Sequence, residues 1–239
     1  MTKTIKDLKV DKIRIITVGK VASSAFKHSL GKEFKVSHRH SLNHLRDVLE
    51  NEENTLIITG IRNPLKRNLS YFFQTYSDKK NTDVVCRGNN YKGDKCFVAN
   101  KEKLIEFSPK RICSLFFKQK WHYIFNDWFE EFSELTHITN VAFDKELGYQ
   151  IYCLDSARNV WMLFYTFEKL KENTQWMEEF FGISELKHTN NAEDRIYKDA
   201  YKNVSETITF PKPYKQKLLN TNIVRHFYSP EDIKQFYSD

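Results

Sequence analysis

The stretch "NTLIITGIRNPLKRNLS", Asn54 to Ser70, decides how this chain is read. Its first half, "NTLIITGIR", is a continuous apolar run, as expected for a central strand of a parallel sheet buried on both faces. Asn63 and Pro64 then make a helix start, because asparagine caps free N–H groups and proline tolerates the first turn. The predicted helix continues through "LKRNLSYFFQTY".

Toward the amino terminus the same alternation repeats. "KIRIITVG" (Lys12 to Gly19) is a short apolar strand, Ser23 to Gly31 reads as a helix, "EFKVSHRH" (Glu33 to His40) as a second strand and Leu42 to Glu50 as a second helix. Strand, helix, strand, helix, strand implies right-handed crossovers and a doubly wound α/β fold, a three-layer parallel sheet flanked by helices. A ligand then belongs at the carboxyl ends of the strands.

Toward the carboxyl terminus, residues Ser77 to Asn100 are polar, basic and turn-rich and read as an excursion from the core. Lys101 to Phe132 is helical and aromatic, "THITNVAFD" (Thr136 to Asp144) and "RNVWMLFYTF" (Arg158 to Phe167) read as further strands, and a helix is expected over Glu168 to Phe181. "FPKP" is a break and "SPEDIKQFYSD" a last short helix, so the core acquires helical carboxyl-terminal additions. The 239 residues suit one domain, 1–239, without internal repeats.

A hydrophobic fraction of 40% with 19 phenylalanines and 12 tyrosines excludes a disordered chain, and no apolar run is long enough for a spanning helix. The polar amino terminus, lacking the apolar core of a secretory signal, points to the cytoplasm. A formal charge of +7 favours anionic partners. None of Cys86, Cys96, Cys113 and Cys153 has CxxC spacing; Cys86 and Cys96 bracket "CRGNNYKGDKC" and are candidates to face each other across a hairpin.

Two loops carry anion chemistry. "VGKVASSAF" (Val18 to Phe26) follows the first strand, where first-turn N–H groups and the helix dipole favour an anion. Lys20 adds a charge, and Ser23 and Ser24 add hydroxyls. The order differs from a Walker loop, whose lysine comes last and precedes a magnesium-binding serine or threonine. An ordinary strand-to-helix connection capped by Ser23 is the plain alternative. After the third strand stands Arg62, with Ser70 eight residues later on the helix face that also carries Arg67. A guanidinium with a hydroxyl suits a terminal phosphate. In the second strand Phe34, Val36, His38 and His40 alternate, which brings two imidazoles to the carboxyl end of one face. Imidazole is suited to general base work near neutral pH. The competing readings make His38 an interior histidine and His40 a helix opener, or make His38, His40 and His44 metal ligands without a carboxylate or cysteine to complete the set.

Together, "VGKVASSAF" and "IRNPLKRNLS" resemble the two cofactor motifs of sulfotransferases that use 3′-phosphoadenosine 5′-phosphosulfate (PAPS). "WFEEF", "AFDKELGYQIY", "NVWMLFYTFEKL" and "RHFYSPEDIKQF" resemble the bacterial sulfotransferase-like group associated with capsular polysaccharide synthesis. The resemblance implies a single sulfotransferase-like domain with a P-loop-like sheet. It implies that Lys20, Ala22, Ser23, Ser24 and Ala25 hold the 5′-phosphosulfate and that Arg62 and Ser70 hold the 3′-phosphate. His40 is then the base, His38 its positioning partner, and Lys20 also stabilises charge on the departing phosphate of 3′,5′-adenosine bisphosphate (PAP). No metal is required. The acceptor implied is a hydroxyl, on a cell-surface or capsular saccharide, with peripheral association with membrane-linked glycan synthesis and no specific nucleic acid. Ala22 and Asn63 depart from the usual glycine and aspartate. Two other functions fit the same residues: a P-loop kinase or NTPase with a degenerate loop, and a non-catalytic polyanion-binding protein of the same fold.

Overall fold

The computed structural model describes residues 4–76, 105–119, 122–186 and 197–238. The polar excursion, with Cys86, Cys96 and the basic residues Lys79, Lys80, Arg87, Lys92 and Lys95, lies outside the described residues, as does Trp121. The chain opens with helix α1 (Ile5–Leu8), then alternates β1 (Lys12–Ile16), α2 (Ser23–Leu30), β2 (Lys35–Arg39), α3 (Leu42–Asn51), β3 (Thr55–Ile61) and α4 (Pro64–Tyr76). This matches the alternation read from the hydrophobic pattern.

Helices α5 (Pro109–Phe117) and α6 (Ile124–Thr136) follow, then strands β4 (Tyr149–Asp155) and β5 (Val160–Thr166). Helices α7 (Phe167–Glu172), α8 (Gln175–Phe181), α9 (Lys198–Thr207), α10 (Lys212–Leu219), α11 (Asn222–Phe227) and α12 (Pro230–Ser238) complete the order.

The sheet runs β2-β1-β3-β5-β4. Pairs β1–β2, β1–β3 and β3–β5 are parallel, but β4 joins β5 antiparallel, which corrects the all-parallel expectation. The fold is thus α/β with a five-stranded, mostly parallel sheet flanked by helices.

All seven residues of β3 are buried, the reason its sequence lacks polar alternation. Its side chains nonetheless alternate between two apolar clusters. Leu56 and Ile58 join Ile13, Ile15, Leu163 and Tyr165 of neighbouring strands under α1, α2 and α8. Ile57 and Ile61 join Met162 and Phe164 under α3, α4 and α6. Helix α2 thus covers one face between β1 and β2, while α3 covers the other between β2 and β3, as one crossover hand requires when the chain reverses direction. The reversal leaves a crevice at the carboxyl ends of β1 and β3.

Two further readings are corrected. Thr136 to Asp144 is no strand: Thr136 ends α6, a 3-10 turn spans Ile138–Asn140, and the residues beyond pair with no strand. His137, at φ 53°, turns the chain out of α6, so the apolar residues Ile138 and Phe143 reach the core from a turn rather than a pleat. The antiparallel strand lies just beyond, at Tyr149–Asp155. The helix expected over Glu168 to Phe181 is two helices, because Asn173 adopts φ −148°, ψ 114° and ends α7.

Candidate functional site

The β1–α2 loop is built against local preference. Gly19, Lys20 and Ala22 all have positive φ, at 86°, 66° and 65°. For a residue with a Cβ this costs about 1–2 kcal/mol and persists only where the surroundings impose it. Ala22 is the N-cap of α2 and makes no side-chain cap, so Ser23 is the first helical residue rather than the cap.

The surroundings impose it through the carbonyls. His40 Nδ1–H donates to Thr17 O at 2.7 Å, Arg67 Nη2 to Val18 O at 2.8 Å, Arg62 Nη1 to Lys20 O at 3.3 Å, and the Tyr165 hydroxyl to Val21 O. These donors come from the end of β2, from α4, from the end of β3 and from β5. With those carbonyls drawn inward, no carbonyl among the described residues accepts from the N–H groups of Ser23 and Ser24. Successive N–H groups in such a turn form an anion-binding concavity.

Each anchor has a local cause. Gly60 lies within β3, and a Cβ there would fall 2.4 Å from the Tyr165 ring, so the missing side chain lets Tyr165 cross β3 to reach the loop. Phe26 of α2 stacks on that ring at 4.9 Å. Asn63 Oδ1 accepts from Leu65 N at 2.9 Å and caps α4. Glu168 caps a neighbour rather than its own helix: it accepts from Asn63 N at 2.9 Å and from the buried Tyr228 hydroxyl at 2.7 Å.

His40 is defined by its Nδ1 contact. Thr17 O can only accept, so Nδ1 carries the proton and Nε2 keeps the lone pair. Burial of its inner edge holds His40 below the ordinary histidine range, against the Thr17 bond, and the Arg67 charge lowers it further. The ring lies over Gly19, its Cε1 3.6 Å from where a Cβ would stand. His38 packs edge-on to it at 4.8 Å, and its own pKa is pushed down to about 4, first by burial and then by His40, Lys27, Arg39 and His28. His38 stands between the two expectations: half-buried rather than interior, with Nε2 enclosed and without a hydrogen-bond partner.

The structure thus brings together Lys20, Ala22, Ser23, Ser24, Ala25, Arg62, His38 and His40. Ser70 is buried in α4, and no hydrogen bond among the described residues joins it to Arg62 or to the loop. Arg62 packs over the Phe167 ring at 4.4 Å. Arg67, expected on the Ser70 face, instead runs beneath the loop and is 2% exposed. Residue patterns missed Thr17, Arg67 and Tyr165 as loop anchors; a glycine inside an otherwise apolar strand was the one available sign of Tyr165. Trp128 is core, stacked on Phe132, while Trp161 and Trp176 are half-buried, the latter stacked on Tyr149. His44 lies 3.4 Å from Ser37 Oγ, and no group of three metal-ligating side chains forms among the described residues.

The donor set fits an anion with phosphate-like groups. Arg62 Nε, Asn63 Nδ2 and Arg67 Nε are buried without hydrogen-bond partners, and neither arginine lies within ion-pair distance of a carboxylate among the described residues. Unpaired buried donors are costly, about 1–3 kcal/mol each. No protein-family model, curated protein or solved structure matches the chain. No helix among the described residues is long and apolar enough to cross a membrane.

Proposed function

We propose that the protein is a sulfotransferase that moves a sulfuryl group from PAPS to a hydroxyl acceptor. One observation carries the reading: the loop after β1 and the arginine after β3 meet, through Arg62 Nη1 and Lys20 O, beside an imidazole whose Nε2 is unprotonated. The bound donor supplies the sulfuryl group and a phosphate leaving group. Lys20 and the N–H groups of Ser23 and Ser24, flanked by Ala22 and Ala25, hold its 5′ end; Arg62 and Ser70 hold its 3′-phosphate. His40 Nε2 accepts the acceptor's hydroxyl proton as the oxygen forms its bond to sulfur and the sulfur–oxygen bond to the phosphate breaks. Lys20 and the loop N–H groups meet the charge that develops on that phosphate. His38 positions the His40 ring.

The family resemblance supports a P-loop-like sheet, a saccharide acceptor of the cell surface or capsule, and a cytoplasmic site of action beside membrane-linked glycan synthesis. β3 ends at Ile61 and Arg62 follows it, so no carboxylate stands at that strand end, where a P-loop NTPase holds magnesium.

Calorimetric titration with PAP in the presence of EDTA tests the donor site. Micromolar binding is expected, and Lys20→Ala should weaken it about tenfold or more. His40→Ala should leave binding intact and reduce transfer about 10²–10⁴-fold. Absence of micromolar PAP binding by the unaltered protein sinks the assignment.

A further inference from the structure

Arg67 is among the largest fully buried side chains in the molecule, and burying an unpaired cation is costly. Its Nη2 donates to Val18 O at 2.8 Å and its Nη1 to Asn68 Oδ1 at 3.1 Å, and its guanidinium lies 4.7 Å from the Tyr71 ring. Burial pushes its pKa down to about 10, so it stays charged at neutral pH.

Behind it runs a chain whose direction is fixed. His122 Nε2–H donates to Phe116 O at 2.8 Å, so Nδ1 must accept from the Tyr214 hydroxyl at 2.8 Å. That hydroxyl, having given its proton, accepts from Asn68 Nδ2 at 3.0 Å, while the same amide donates to His122 O at 2.8 Å. Asn68 Oδ1 is therefore turned toward Arg67. The chain joins α5, α10 and α4 to the loop after β1, across 146 residues of sequence between Asn68 and Tyr214.

We propose that Arg67 is a positioning residue for the candidate site: locked between Val18 O and the Asn68–Tyr214–His122 chain, its charge fixes the β1–α2 loop and sets the chemistry of the adjacent His40. The proposal rests on the functional reading only for its ligand. Thr17 O, the acceptor of His40, immediately precedes the Val18 carbonyl that Arg67 holds. Facing His40 are His38, packed edge-on at 4.8 Å, its chain neighbour Arg39 and the Arg67 charge from α4, while Trp128 of α6 donates its indole N–H to His40 O at 3.4 Å. Arg67 is the one of these cations buried beneath the loop, where solvent screens it least.

Nuclear magnetic resonance titration of the His40 ring tests this. Arg67→Met should raise its midpoint by about 0.5–1 pH unit, and Arg67→Lys, which keeps the charge, should restore most of the shift. An unchanged midpoint in Arg67→Met, or equal shifts in the Met and Lys proteins, overturns the role of the charge. Tyr214→Phe keeps the charge and cuts the chain, so amide exchange over Gly19 to Ser24 should quicken about tenfold; unchanged exchange overturns the chain's role even if Arg67→Met does not fold. PAP affinity should fall about tenfold in Arg67→Met, whereas failure of the unaltered protein to bind PAP removes the functional reading and leaves the His40 titration to judge Arg67.

Discussion

Ala22 holds φ 65° without being glycine, so the loop stores strain that the anchors on Thr17, Val18, Lys20 and Val21 must offset. Ala22→Gly removes the Cβ penalty but adds freedom to the unfolded chain. The expected outcome is a net stabilisation of about 0.5–1 kcal/mol in urea unfolding; destabilisation would mean that the left-handed conformation is not the native one. His38 gives a pH signature. Its native pKa of about 4 lies below the ordinary 6.5, so the unfolded chain binds the proton first as pH falls. Its contribution is intact above about pH 6.5, is lost progressively between 6.5 and 4, and levels off below 4. Urea midpoints followed across that range should fall less steeply in His38→Gln than in the unaltered protein, and parallel curves would discount the burial of His38.

At the scale of elements, the start of α4 depends on α7 and α11. Glu168 accepts from Asn63 N and from Tyr228 OH, the latter just after α11, so one carboxylate ties the end of β3 to two carboxyl-terminal helices. Burial and the adjacent carboxylate both hold the Tyr228 hydroxyl well above the ordinary tyrosine range, which keeps it a donor. Glu168→Ala leaves that hydroxyl buried without its acceptor and uncaps Asn63 N; a loss of about 2–4 kcal/mol is expected in urea unfolding, against about 1–2 kcal/mol for Tyr228→Phe. Equal, small losses in both would show that the carboxylate does not cap α4. The sequence placed Glu168 at a helix start but not the helix it caps, because a cap supplied across 105 residues leaves no local pattern.

At the scale of the molecule, β3 is paired on both sides and buried on both faces, whereas β2 is an edge strand with exposed ends. Native-state hydrogen exchange should therefore find the slowest amides in β3 and β5 and faster ones in β2; equal protection would mean that the sheet does not open from its edge. The sequence by itself determined the opening alternation of this architecture, from Lys12 to the end of α4, because there each element announces itself through period, cap and breaker within a few residues. It also picked out the loop after β1, Arg62 and the histidine pair, since residues at strand ends share one rim of the sheet. Only the tertiary structure decided that β4 runs antiparallel at Tyr149–Asp155, that Arg67 lies beneath the loop, and that Tyr165 crosses Gly60 to hold Val21. The physical reason is range: a strand's direction and a buried cation's partner depend on groups brought together from distant parts of the chain, and no short-range pattern encodes that meeting.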